Sequence, residues 1–209
     1  MVWTSLWWQY RVTKSHSCAS ITTGVYPGNI RILSGTNDLL DASNENYIYP
    51  VAYIINYPDY KPNKFWKNDI CILRLEKPIY YTTKCKNIHL PVHSLGQVND
   101  ATISGWGHDF DIPTSPSRYL KMTHVTVLTK SKCNYDLEEF AFTMSNTQKC
   151  AITQNTNAGI QRGDAGSAVT HTFRADGIIS LQIPNKKYAF IFTQVWSYLD
   201  WIEGMIEEY

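Results

Sequence analysis

The chain is short of the features that would commit it to a membrane or to nucleic acid. No apolar run approaches the roughly 20 residues needed to span a bilayer. It has no excess charge of either sign: 19 Lys and Arg stand against 18 Asp and Glu, a formal net charge of +1. Nothing electrostatic therefore draws it to nucleic acid or to an anionic membrane, and neither is expected as a partner. The opening MVWTSLWWQY is aromatic but broken by polar residues, and it lacks the apolar stretch and small-residue cleavage site of a signal peptide. The five cysteines (Cys18, Cys71, Cys85, Cys133, Cys150) include no CxxC pair of the zinc type, and no loop of clustered acids suits calcium. No metal and no cofactor is expected. There is no Asn-x-Ser/Thr acceptor for N-linked sugar, no internal repeat, no low-complexity tract and no flexible linker.

What remains is a chain able to build a core. At 209 residues, 44% hydrophobic and 13% aromatic, it fits one large domain or two small ones and is not disordered. An odd cysteine count leaves one thiol over in any redox state. Cys133 and Cys150 bracket a polar, turn-rich stretch, as a disulfide-closed loop would, and a bridge there would contribute about 3 kcal/mol. Two separate buried thiols are the other reading of that pair. Short alternating or β-branched runs recur at 30–34, 47–55, 69–75, 101–106, 124–128, 177–181 and 189–195, separated by turn clusters such as Tyr26-Pro27-Gly28-Asn29. Only the C-terminus reads as a helix, with Val195, Leu199, Ile202, Met205 or Ile206, and Tyr209 on one face. The pattern is all-β with one terminal helix. Trp3, Trp7, Trp8, Tyr10, Trp66, Tyr80 and Tyr81 read mostly as core or barrel-end packing.

Three segments in order carry a resemblance: Asn68-Asp69-Ile70 before the strand CILRL, then Ser104-Gly105-Trp106-Gly107, then Gly163-Asp164-Ala165-Gly166-Ser167-Ala168. With Gly177-Ile178-Ile179-Ser180 and the terminal YLDWI from Tyr198, they resemble the trypsin-like serine proteases from about Ser15 to Ile202. The resemblance implies one domain over 1–209 built of two six-stranded antiparallel barrels (about 10–95 and 101–193) with a C-terminal helix over about 195–209.

It also implies where chemistry would sit. Ala165 stands at the nucleophile position, and a methyl group neither attacks a carbonyl nor moves a proton. Ser167, two residues on, reads as a structural turn serine. His16 matches a structural histidine of the family, and the stretch after Ser20 is about ten residues short, so the base histidine is absent and the first barrel is expected to lack a strand. Cys18 then loses its family partner and becomes the odd thiol. His89, His93, His108, His124 and His171 fall away from the cleft. Asp69 persists as the orienting acid without its imidazole. In the former specificity pocket Gly159 replaces the floor acid. Beside Ser180, Leu181 and Gln182 replace a tryptophan and a wall glycine, Gln161 a bracing cysteine, and Phe190 the second glycine. Phe190 would fill the pocket, unless a one-residue slip turns it to the core. The oxyanion turn at Gly163 and Ala165 needs Asp164 paired to a freed Ile-Val-Gly-Gly amine, which is missing. Asp164 is expected to face solvent or to pair with Arg162, leaving the hole collapsed.

The combined losses resemble the inactivated serine protease paralogues of the scabies mite, relatives of the group 3 mite allergens. That likeness implies a secreted monomer that binds host plasma or gut proteins, complement components among them, and inhibits complement without cleaving peptides. Two other readings stand beside it: a non-functional relic or truncated product of the family, and a residual serine endopeptidase.

Overall fold

A computed structural model of the chain describes residues 25–43, 47–108, 115–138, 142–155, 158–183, 185–186 and 188–208. His16, Cys18, Ser20, Trp3, Trp7, Trp8, Tyr10 and Tyr209 lie outside these. A 3-10 turn at Pro27–Asn29, started by a proline whose missing N–H goes unmissed there, leads into β1 (Arg31–Leu33). β1, β2 (Ile48–Asn56) and β3 (Cys71–Leu75) form an antiparallel sheet in that order, with Ile32 opposite Tyr49 and Ile54 opposite Leu73. Ile30, Ile32, Val51, Cys71 and Leu73 bury its inner face. Among the described residues this half gives three strands, and the start of the expected first barrel, 10–24, lies outside them. After β3 the chain from 76 to 97 carries Pro78 and Pro91 and forms no strand beyond a single bridge between His89 and Arg174. Tyr80 and Tyr81 in that stretch are exposed, not packed as expected, and Trp66 is half-buried.

The second half is a closed barrel. Strands β4 (Val98–Gly105), β5 (Lys121–Val127), β6 (Gln148–Thr153), β7 (Ala168–His171), β8 (Arg174–Gln182) and β9 (Ala189–Gln194) run round it in the order β4-β5-β6-β9-β8-β7. Alternation sends Ala101 and Ile103, Val125 and Val127, and Phe190 and Phe192 inward to one core. Gly177 is required there, because a Cβ on it would run into the buried Phe192 ring. β6 and β7 escape the sequence pattern. β6 opens on a buried glutamine, Gln148, whose Nε2 donates to Phe65 O at 2.8 Å, and β7 is only four residues long.

A helix the pattern also misses, α1 (Lys130–Leu137), has no regular apolar stripe. Thr129 starts it, its Oγ1 accepting from Lys132 N at 3.3 Å, and Cys133 ties it to β6 through a disulfide to Cys150, Cα to Cα 5.9 Å. The expected bridge is present. Cys18, the expected odd thiol, lies outside the described residues. Cys85 is a buried thiol whose Sγ lies 3.0 Å from Ser34 Oγ, and Cys71 is disulfide-bonded.

The C-terminus begins as a 3-10 turn (Val195–Tyr198) and continues as α2 (Leu199–Glu208). Three residues per turn stack Tyr198 over Val195, so Tyr198, not Leu199, joins the buried face, and Ile206 is exposed. Val195, Tyr198 and Ile202 pack against Ile70 and Ile72 of the first half and Ile178 of the barrel. Tyr57 meets Tyr198 and Trp201 edge-on, with centroids at 4.9 and 5.2 Å. This cluster holds the two halves together and carries the residues of the site.

Candidate functional site

Asp69 enters at the end of a tight turn. Asn68 takes a left-handed φ of 61°, which asparagine tolerates better than most residues. Its side chain is fully engaged: Nδ2 donates to Asp59 O at 3.0 Å, and Oδ1 accepts from Tyr198 OH at 2.9 Å. Burial pushes the Tyr198 hydroxyl up to about 12, so it remains a donor. With Asn68 pinned, Asp69 is 0% exposed, and its Oδ2 accepts from Ser180 Oγ at 2.7 Å. Ser180 therefore serves Asp69 across 111 residues of chain. By sequence Ser180 belongs with the former specificity pocket, and nothing there signals this bond. Asn68 and Tyr198 stand in the motifs that carry the family resemblance, but residue order gives no sign that they bond each other.

The turn after residue 160 is closed by Asp164 N donating to Gln161 O at 3.0 Å, with Gly163 at φ 101°. Asp164 neither faces solvent nor pairs with Arg162, which is exposed. Its Oδ1 accepts from Gly107 N at 2.8 Å and its Oδ2 from Gln161 N at 2.9 Å. The carboxylate occupies the space that side chains at Gly105 and Gly107 would need, so the Ser-Gly-Trp-Gly motif makes room for it. Burial raises the Asp164 pKa, and the Gln161 and Gly107 amides oppose that shift. Ala165 follows as a half-buried methyl, and Gly166 N binds Ile179 O at 2.8 Å, docking the turn on β8.

Of the expected pocket residues, Gly159 is half-buried, Ser180 turns its hydroxyl to Asp69, and Gln182 is exposed at the end of β8. Phe190, 0% exposed, lies in the barrel core with Ile160, its ring 6.2 Å from Phe192. The histidines are scattered. His89 O accepts from Ala175 N, His93 is exposed, and His108 N donates to Arg162 O. His124 approaches Thr102 on the barrel wall at 3.4 Å, and His171 Nε2 pairs with Asp100 at 3.2 Å. Among the described residues no group of His, Cys, Asp and Glu is arranged to hold a metal.

One buried acid lacks a partner for one oxygen. Asp176 on β8 is 3% exposed and its Oδ2 has no hydrogen-bond partner. Burial pushes its pKa up to about 6, opposed by His171, Arg174 and His93. A folded pKa above the unfolded value means the folded state holds the proton more tightly, so this group's contribution to stability falls as pH rises from about 4 to about 6. Asp176→Asn is expected to raise the melting temperature at pH 7.5 and to lose that advantage near pH 4. Equal shifts at both pH values would refute it.

Comparison with known proteins agrees with this architecture. Bovine duodenase-1 is 25% identical over 185 residues, 87% of this chain and 71% of the relative. Mouse cathepsin G is 25% identical over 183 residues, 87% of this chain and 68% of the relative. The structure of neuropsin, a serine protease expressed in the limbic system of mouse brain, superposes with a TM-score of 0.72 at 21% identity, covering 85% of this chain and 78% of that one. The family model for trypsin matches residues 10–202, nearly the whole chain, and the chain belongs to that family.

Proposed function

We propose that this trypsin-family protein acts by binding other proteins and does not hydrolyse them. The observation that carries the reading is Ala165, held in the Gly163–Ser167 turn where the family motif has its serine. A methyl group there removes the nucleophile, and Asp69, the family's orienting acid, has its Oδ2 taken up by Ser180. A fold kept without its chemistry retains a rigid scaffold and surface loops, which is what a binding module needs. The Cys133–Cys150 disulfide favours a secreted protein, and no helix among the described residues is long and apolar enough to cross a membrane. The partner class, host plasma or gut proteins with complement components foremost, rests on the resemblance to the scabies mite paralogues.

The test is a pull-down from human serum by the folded monomer, with heat-denatured protein as control, beside labelling by a fluorophosphonate probe. Complement proteins retained only by the folded form, with no covalent adduct, are the expected result. A serine adduct with peptide turnover would establish an endopeptidase instead. Insoluble protein, or soluble protein that captures nothing, would favour a relic of the family.

A further inference from the structure

The loop from Lys61 to Lys67, KPNKFWK, holds three lysines and no acid in seven residues of a chain whose net charge is only +1. All three lysines are exposed, and among the described residues none of their ammonium groups pairs with a carboxylate. The loop closes on itself: Lys61 N donates to Lys67 O at 3.0 Å, and the two residues form an antiparallel bridge. Bridged residues stand about 5 Å apart, inside the ~8 Å screening length of physiological salt, so the fields of Lys61 and Lys67 add. At the tip Phe65 and Trp66 take φ values of 49° and 52°, a region large side chains avoid. The strained turn is held from the barrel half. Gln148 Nε2 donates to Phe65 O at 2.8 Å, and the Phe65 ring stacks on Phe142 at 4.0 Å. Phe65 nevertheless remains 37% exposed.

We infer that this loop is a docking surface for an acidic segment of a partner protein, with Lys61, Lys64 and Lys67 meeting its carboxylates and Phe65 its apolar side chains. The inference rests on the binding function proposed above for its partner class. Three observations favour a protein segment over other polyanions. An aromatic ring is presented among the charges, where aromatics anchor protein contacts. The loop runs directly into Asn68 and Asp69, so it adjoins the candidate site. And the backbone is braced in a fixed shape, which lowers the ordering cost of binding.

The probe is a short fluorescein-labelled oligoglutamate peptide with one phenylalanine, titrated with the whole chain and followed by anisotropy. Binding is expected at about 0.05 M salt, weakening toward about 0.5 M. The variant K61E/K64E/K67E is expected to bind about tenfold more weakly or worse, with an unchanged melting temperature. K61Q/K64Q/K67Q serves if the reversed charges impair folding. Absence of binding by the wild type, or equal binding by the variants, overturns the inference. So does tighter binding of a heparin-derived oligosaccharide than of the peptide, which would assign the loop to sulfated glycans. Serum capture by the lysine variant equal to that of the wild type removes this surface while leaving the binding function intact. Oligoglutamate binding by a wild type that captures no serum protein does the reverse.

Discussion

Ala165→Ser is expected to give no peptide hydrolysis above that of the wild type, in kcat/KM on a mixed peptide library. A serine hydroxyl is a weak nucleophile until a base takes its proton. The five histidines among the described residues are committed elsewhere or exposed, with His171 on Asp100 and His124 beside Thr102. Loss of the base alone costs on the order of a million-fold in a serine hydrolase that uses the same triad logic. Returning only the serine therefore restores one member of a unit that works jointly. Turnover by the serine variant that disappears on Asp69→Ala would overturn the binding-only reading and reveal a base the present assignment lacks.

Asp164→Ala is expected to destabilise the protein by about 3 kcal/mol, from two part-buried donors losing their acceptor at about 1–3 kcal/mol each. In a chain of this size that lowers the melting temperature by on the order of 10 °C. The donors are Gly107 N and Gln161 N, on the β4 end and on the turn that carries Ala165. Their shared acceptor ties those two segments, beside the bond from His108 N to Arg162 O. Asp164→Asn should fall between, because an amide oxygen can serve one donor while its NH2 group faces the other. Thermal melts of both variants at pH 7 check the order. An alanine variant as stable as the asparagine variant would show that water replaces the carboxylate.

The second barrel was largely legible in the chain because its strands advertise themselves. Runs such as Ala101–Trp106 and Ala189–Val195 carry β-branched and aromatic residues between turns, and both form strands within three residues of the expected ends. The misses have common causes. α1 has a threonine cap but no apolar stripe, so its stability comes from the Cys133–Cys150 tie and from packing. β6 hides behind a buried polar residue, Gln148, whose Nε2 is satisfied by Phe65 O on a distant loop and whose Oε1 accepts from Ser145 N. Tyr80 and Tyr81 look like core by composition, yet they sit in a stretch whose prolines keep it out of the sheet.

The candidate site divides the same way. Ala165 in its glycine-rich turn, the Asn68-Asp69 pair and the likelihood of a Cys133–Cys150 bridge were all present in local residue order, because nucleophile chemistry, turn chemistry and short loops are local properties. Sequence order did not disclose that Ser180 serves Asp69, that Asp164 turns inward to two amides, that Cys85 is a buried thiol beside Ser34, or that one Asp176 oxygen is left without a partner. Each of these depends on which groups the folded chain brings together and which it removes from water. Hydrogen-bond partners and desolvation are set by contacts across 50 to more than 100 residues of chain. Only closure of the barrel and its docking on the first sheet create those contacts.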